Sequence, residues 1–313
     1  MAFDLQTVMH AATVTLNMTL SVAVGAGMSS LWLSRGASAW AMQQRKQLQP
    51  VRLAATAFAM LVSAVLLWLE SAVMAEVPIA QAREAVWSML SATHLGTAWM
   101  IGIVALAISL AASVAPAPDT QRRWLLQLSM LGLGVFLYSR SMVSHAASDG
   151  DISVAMLADW LHLMLISLWV GEVLLAGLLI LNKPIGMLAH ERKDAACYVE
   201  SLSTSATYAL VGIVATGLFS AWHNLGGLSG LSGNTYGTTL LIKLGLVALA
   251  IILGGFNRFK VMPLLIGTLQ RGDSASMGAQ RRFSNILRIE SLVLLGVVLT
   301  AAVLSATSPP TAS

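Results

Sequence analysis

The chain has 313 residues, of which 57% are hydrophobic and 10% are charged, and its mean hydropathy is +0.76. Soluble domains carry about 25% charged residues, so this composition excludes a water-soluble globular protein and predicts a membrane protein. The net charge of +4 does not indicate nucleic-acid binding, because no basic stripe is interleaved with aromatic residues. The single cysteine, Cys197, excludes a copper site made of paired thiolates within one chain.

A membrane-spanning helix needs about 20 mostly apolar residues, and the chain contains about eight such stretches. The alternating pattern of a membrane barrel is absent from the sequence, so we predict an all-α polytopic membrane helical bundle. The first stretch lacks the basic region of a cleavable signal, because Asp4 is the only charge before Arg35. In chain order the predicted spans are 9–33, 52–75, 91–114, 123–146, 154–182, 202–225, 235–257 and 284–307.

Basic residues concentrate in alternate loops of this predicted topology. Because Lys and Arg gather in cytoplasmic loops, the odd-numbered loops are predicted to lie inside and both termini outside. The intervening loops are poor in basic residues, and the fourth carries Asp149 and Asp151. The odd loops carry Arg35, Arg45, Lys46, Arg52, Arg122, Arg123, Lys183, Arg192, Lys193, Arg258, Lys260, Arg271, Arg281 and Arg282.

A faint internal repeat relates spans that are four helices apart. It predicts one transmembrane domain, 1–313, made of two parallel four-helix halves at 1–146 and 154–308. Such halves are related by an axis along the membrane normal, and a binding site is favoured between them. The matching pairs are Gly96-Thr97 with Gly237-Thr238, Arg122-Arg123-Trp124 with Arg281-Arg282-Phe283, and Phe58-Ala59 with Tyr208-Ala209.

Five of the six histidines fall at or near the predicted outer ends of spans. Neutral imidazole binds copper, zinc and haem iron, whereas a single histidine at a helix end is equally well explained by contact with water. The group as a whole favours a metal site on the outer side. The five are His10, His94, His145, His162 and His223, and His190 is in a cytoplasmic loop.

Methionines extend this candidate metal site. Met142 precedes His145 by three residues, so the two share a helix face. Thioether and imidazole together favour Cu(I), and an added carboxylate suits Cu(II). Most of the 16 methionines must be apolar filler, which is their common use.

We single out six ionisable residues that fall inside the predicted spans, where each costs roughly 2.5–3.5 kcal/mol and normally faces the bundle interior. Asp159 lies three residues before His162 and is a candidate to orient the imidazole. Lys243 needs a partner, for which Glu172 and Asp159 are candidates, unless it extends to the outer headgroups. The six are Glu70, Arg140, Asp159, Glu172, Lys243 and Glu290. No nucleotide-binding or hydrolase motif is present in the sequence.

Residues 144–310 resemble the copper resistance D (CopD/PcoD) family of inner-membrane proteins, and the amino-terminal half is similar mainly in its number of helices. The family's GHA, HL and WxGG motifs are matched by Ser144-His145-Ala146, Leu161-His162-Leu163 and Trp169-Val170-Gly171. Its YGxxLLxK…NR…P segment is matched by Tyr236-Gly237, Leu241, Lys243, Asn257-Arg258 and Pro263, and Glu290 and Pro309-Pro310 also fit.

This resemblance implies a bacterial inner-membrane protein that moves copper from periplasm to cytoplasm, with a separate small periplasmic partner of the CopC type. Two positions depart from the family pattern: Glu172 replaces the second glycine after the tryptophan, and His94 is not usually histidine. The family positions that carry over are His145, His162, Trp169, Lys243 and Glu290.

Two other functions stay open from the sequence. The same outer histidines could ligate haem b in a membrane redox protein, because two histidines at matching depth on facing helices can hold one haem. The chain could also be a scaffold without a transported substrate. Stoichiometric iron would indicate the first, and unchanged copper tolerance after loss of His145 and His162 would indicate the second.

Overall fold

The computed structural model describes residues 5–116, 119–186, 188–225, 235–273 and 275–305, and all regular structure in these ranges is helical. This confirms the predicted all-α class. Pro309-Pro310 and most of the predicted sixth loop lie outside the described residues. The α-helices in the described ranges are α1 (Leu5–Leu33), α2 (Ala39–Met74), α3 (Arg83–Ala92), α4 (His94–Val114), α5 (Asp119–Ser141), α6 (Val154–Leu175), α7 (Ala189–Leu225), α8 (Thr235–Phe256), α9 (Met262–Arg271) and α10 (Ser276–Ser305).

Seven helical segments in the described ranges are long and apolar enough to cross a membrane: α1, α2, α4, α6, α7, α8 continued by α9, and α10. The remaining predicted span corresponds to α5, which has 23 residues and is about 34 Å long at about 1.5 Å per residue. Leu133 and Phe136 of α5 are buried among its neighbours, and Gln127 and Arg140 make the helix less apolar. The helix therefore packs as the eighth member of the bundle.

Several helices extend beyond the predicted spans on the basic side of the protein. The hydroxyl of Ser38 accepts a hydrogen bond from the amide of Ala41 (3.1 Å), and this cap fixes the start of α2 well before residue 52. Helices α7 and α10 also begin before their predicted spans. Arg45 of α2, Arg192 of α7 and Arg281 of α10 therefore lie on helices instead of in loops. The short helices α3 and α9 were not predicted, because neither is long enough to give a spanning pattern.

The first helix lies in the middle of the bundle, where it packs against α2, α5, α6, α7 and α10. Its closest approach is to α6. A Cβ atom added at Gly171 would overlap the backbone carbonyl of Ser21, and one added at Gly25 would overlap the backbone of Gly171. Small residues allow such backbone contact between membrane helices, so these two glycines fix the distance between α1 and α6.

The helix pairings of the first four spans largely recur in the last four. In the first set α1 packs against α2 and α5, and α4 packs against α5; in the second set α6 packs against α7 and α10, and α8 packs against α10. Gly96 and Gly237 are each the third residue of their helix, α4 and α8. One pairing differs, since α2 packs against α4 while the described parts of α7 and α8 make little contact. The two-half organisation stays a prediction.

Candidate functional site

Polar side chains form a row along α6, on the part of the helix that packs against α7 and α10. The hydroxyl of Ser153 accepts a hydrogen bond from the amide of Met156 (3.2 Å) and caps the start of this helix. Asp159, His162, Trp169 and Glu172 then follow along the helix. Their first and last members are separated by about 20 Å along the axis at about 1.5 Å per residue. We call these four residues the α6 polar row.

A threonine orients the imidazole of His162. The Nδ1 atom lies 2.9 Å from Thr216 Oγ1 on α7, and the same hydroxyl donates its hydrogen to the carbonyl of Gly212 (2.7 Å). Because a hydroxyl has one hydrogen, Thr216 accepts from the Nδ1–H group of a neutral imidazole. A Cβ atom at Gly217 would lie 3.3 Å from His162 Cε1, so the ring also packs closely against α7. The Nε2 atom is left with its lone pair, which is the form that binds a metal.

Charged groups surround the outer part of the polar row. The hydroxyl of Ser144 donates to Asp159 Oδ2 (3.1 Å). Lys243 of α8 is half-buried, is attracted electrostatically to Asp159 and also acts on His162. Within the described residues Lys243 has no direct ion pair with Asp159. Asp159 is therefore the counter-charge of Lys243 across a gap, and Thr216 takes the orienting role that the sequence suggested for Asp159.

The inner part of the row is held by α7 and α10. Trp169 Nε1 donates to Glu290 Oε1 of α10 (3.2 Å), and both side chains are buried. The hydroxyl of Ser205 on α7 donates to Glu172 Oε1 (2.9 Å). Because Glu172 points toward Ser205, the close packing of α1 on α6 needs only Gly171 on the α6 side. Glu172 in place of the family's second glycine is therefore accommodated without separating these helices.

A cavity of about 1040 Å³ lies between α1, α6 and α7. Its lining includes Leu165 and Leu168 of α6, Ser205 of α7, and the basic residues Arg35 and Lys193. These basic residues mark the predicted cytoplasmic side. Leu165 is one helical turn after His162, so the imidazole lies close to the inner end of the cavity. By inner end we mean the end that lies deepest in the helical bundle.

Neither His10 nor His94 joins His162 in a group of metal-ligating side chains within the described structure. His94 begins α4, is exposed and pairs with Asp151 (Nε2 to Oδ2, 2.9 Å). His10 is half-buried near the start of α1. His145 begins a short 3₁₀ turn and His223 belongs to the last turn of α7, but their side chains lie outside the described residues. Among the described side chains, no group of three or more His, Cys, Asp or Glu is arranged to hold a metal.

Two further predicted residues have packing or charge partners elsewhere. Met142 is buried and packs with Ala98 and Met156, which is the ordinary apolar use of methionine. Glu70 of α2 is half-buried and interacts electrostatically with Arg140 of α5. The ligand roles predicted for Met142 and the histidines stay predictions.

Comparison with known proteins gives the family. The model of copper resistance protein D matches residues 198–304, and the model of the copper resistance protein D-like N-terminal domain matches residues 4–154. The chain belongs to the copper resistance protein D family. The sequence motifs had covered only residues 144–310, so the family match adds the amino-terminal half. The two matched ranges leave out 155–197, which contains His162, Trp169 and Glu172.

Two curated members of this family are similar over about two thirds of the chain. Copper resistance protein D of Pseudomonas syringae pv. tomato is 29% identical over 214 residues, which cover 67% of this chain and 68% of that protein. Copper transport protein CutJ of Bacillus subtilis (strain 168) is 31% identical over 225 residues, which cover 69% of this chain and 37% of that protein. No solved structure matches the chain.

The sequence did not identify the hydroxyl partners of the polar row. Ser144, Ser205 and Thr216 each bond a row residue, yet serine and threonine are common at contacts between membrane helices. Their spacing alone carries no signal for these roles. A carboxylate or histidine in a span can be recognised from sequence, whereas its partner on another helix depends on helix rotation.

Proposed function

We propose that this family member moves copper across the inner membrane, from the extracytoplasmic side toward the cytoplasm, through its second half. The observation that carries the proposal is the α6 polar row, which runs from Asp159 to Glu172 and ends beside the cavity. Ionisable groups in a membrane interior are costly and usually mark a substrate or ion pathway. The family name and the basic side of the bundle support copper as substrate and the inner membrane as location.

His162 is the entry ligand in this proposal. Its Nε2 lone pair faces away from Thr216, and imidazole binds both oxidation states of copper. Asp159 adds a carboxylate on the same helix, while the positive charge of Lys243 opposes a bound cation. An ion pathway needs binding that is strong enough for entry and weak enough for release. The positive charge of Lys243 weakens copper binding and so favours release.

The cavity is the proposed exit. Copper leaving His162 passes Leu165 and reaches water at the inner end of the cavity, beside Ser205. The sequence carries no nucleotide-binding motif, so a gradient or a protein partner supplies the driving force. Outside, the histidines His10, His94, His145 and His223, together with Met142, are the candidates for first capture, from a separate small copper protein of the CopC type.

The test is copper uptake into cells or proteoliposomes, measured by elemental mass spectrometry. We expect His162→Ala to lower the initial uptake rate at least tenfold, because an imidazole ligand is lost. Leu161→Ala is the matched control, since Leu161 is the preceding residue and is 44% exposed on the membrane-facing surface. Equal uptake by the His162→Ala variant and the wild type would contradict the proposal.

Metal content of the purified protein separates copper handling from haem binding. Copper near one or more per chain, with iron absent, is the expected result. Iron near one or two per chain with a Soret band would instead make this a haem b protein. In that case the outer histidines would be axial ligands.

A further inference from the structure

Glu172 is a fully buried carboxyl group with one unsatisfied oxygen. Its side chain is 0% exposed. Oε1 accepts the hydrogen bond from Ser205 (2.9 Å), whereas Oε2 is buried and has no hydrogen-bond partner. Buried polar atoms are nearly always paired, so this oxygen requires an explanation.

No cation neutralises this carboxyl group within the described structure, where Glu172 forms no ion pair. From α7, Tyr198 interacts electrostatically with Glu172, and its hydroxyl lies 3.2 Å from Ser29 Oγ. From α10, Glu290 is bonded by Trp169, and Arg288 donates to the carbonyl of Gly177 (3.0 Å) and to Asn182. The facing parts of α1 and α5 carry no charged side chain: α1 has none, and α5 has none between Arg123 and Arg140.

An ionised carboxylate in this position is disfavoured. Burial of an uncompensated charge costs several kcal/mol, and a buried carboxyl group normally takes up a proton instead. Since Oε1 already accepts from Ser205, the proton belongs on Oε2. A protonated Oε2 needs no donor directed at it, and its own hydrogen is available for transfer.

Ser205 links Glu172 to the cavity. The residue lines the cavity and its hydroxyl bonds the carboxyl group, and a hydroxyl can both accept and donate a hydrogen bond. The neighbouring carboxylate Glu200 lines the same cavity but is exposed. The two glutamates therefore share one compartment and differ in their access to solvent.

We propose that Glu172 is a proton-exchange site on the cytoplasmic part of the copper pathway. It holds a proton while the inner end of the cavity is empty and releases it when a copper cation arrives there. For release, the Ser205 hydroxyl turns its hydrogen from Oε1 to cavity water and the carboxyl group rotates its O–H group toward the Ser205 oxygen. The carboxyl proton then passes to that oxygen as the serine hydrogen leaves to water, and the carboxylate balances one unit of the copper charge. When copper leaves, one proton returns by the same route and the carboxyl group is neutral again. The copper half of this proposal rests on the proposed function.

The proton is tested first, without copper, by infrared difference spectroscopy of the reconstituted protein in H₂O and D₂O. We expect a carbonyl stretch of a protonated carboxylic acid that shifts on deuteration and is lost in Glu172→Gln. Glu200→Gln should retain this band, because Glu200 is exposed and is not the buried carboxyl group. Ser205→Ala should retain the band at a shifted frequency and slow its exchange, which also provides a readout if Glu172→Gln fails to fold.

Copper coupling is tested by titrating the purified protein with copper in weak buffer that contains a pH indicator. We expect Glu172→Gln to release about one proton fewer per copper than the wild type, and Glu200→Gln to match the wild type. An acid band that persists in Glu172→Gln overturns the proton site. Equal proton release from both proteins overturns the coupling to copper. Failure of the wild type to bind copper removes the proposed function and the coupling together, while the infrared result still decides whether Glu172 carries a proton.

Discussion

The hydroxyl group of Thr216 determines which nitrogen of His162 is available to a metal. Its single hydrogen is directed to the carbonyl of Gly212, so it can only accept from Nδ1. Partners of this kind fix the tautomer and the ring orientation of metal-binding histidines. In the proposed pathway, Thr216 therefore acts on copper through His162 and without contact to the metal.

Replacement of Thr216 by valine tests this positioning role. Valine keeps the shape of threonine but offers no hydrogen-bond acceptor. The Nδ1 atom of His162 therefore loses its partner, and the ring no longer has a fixed tautomer. We expect copper affinity to fall by about 10–100-fold, as is typical when such partners are removed. Thr216→Ser keeps the hydroxyl and should retain most of the affinity. Competition titration with a copper chelator measures both variants, and equal affinity of Thr216→Val and wild type would contradict the role.

The charges of Asp159 and Lys243 compensate each other across the α6–α8 gap. We expect Asp159→Asn to destabilise the protein, because it leaves the Lys243 cation without its counter-charge. The loss should be smaller than the about 3–5 kcal/mol of a broken direct buried pair, since the two groups do not touch. The double variant Asp159→Asn with Lys243→Met should regain stability in thermal unfolding in detergent. Additive losses in that double-mutant cycle would argue against the coupling.

For individual residues, the sequence predicted which side chains carry charge inside the spans but not how these side chains pair. Asp159 and Lys243 were recognised because ionisable residues are rare in apolar helices, and Asp159 was one of two candidate partners. Thr216, Ser205 and Ser144 were missed, because a hydroxyl in a membrane helix gives no comparable contrast. The predicted gathering of histidines also depended on helix rotation, which hydropathy does not determine.

Helix α6 depends on a single glycine for its contact with α1. A methyl group at Gly171 would overlap the backbone carbonyl of Ser21. The backbone cannot give way as a flexible side chain can, so we expect Gly171→Ala to separate the two helices. Loss of the monodisperse peak in fluorescence-detected size-exclusion chromatography is the expected result.

Gly245 of α8 provides the matched control for this substitution. A Cβ atom there would meet nothing within 4 Å, and alanine is favoured over glycine within a helix by roughly 0.5–1 kcal/mol. Gly245→Ala should therefore keep or raise the unfolding temperature. A Gly171→Ala protein as stable as Gly245→Ala would show that the α1–α6 contact tolerates separation.

The helices themselves were well predicted from the sequence. Spans 154–182 and 235–257 correspond to α6 (Val154–Leu175) with its π-helical end (Ala176–Ile180) and to α8 (Thr235–Phe256), because apolar length is a strong signal. The extension of α2 back to Ala39 was missed, since its amphipathic first turns lie outside the span. Proline usually interrupts a helix, so Pro50 within α2 also argued against this extension.

The orientation of the whole molecule can be tested through its one cysteine. Cys197 is exposed, and it lines the cavity on the predicted cytoplasmic side. A membrane-impermeant thiol reagent should therefore label inverted vesicles and leave right-side-out vesicles unlabelled. A Cys197→Ser variant with Glu76→Cys, at an exposed outer position, should give the opposite pattern. Labelling of Cys197 from outside would reverse the topology inferred from the basic residues.

The central position of α1 has a consequence for biogenesis. This helix is synthesised before α6, α7 and α10, yet all three pack against it. Until those helices are synthesised, its backbone at Gly25 and its hydroxyl at Ser29, which later bonds Tyr198, face lipid or a chaperone. Helix α1 thus completes its packing only when α10 arrives. A chain released before α10 would expose this surface, which gives quality-control proteases a means to distinguish truncated from finished protein.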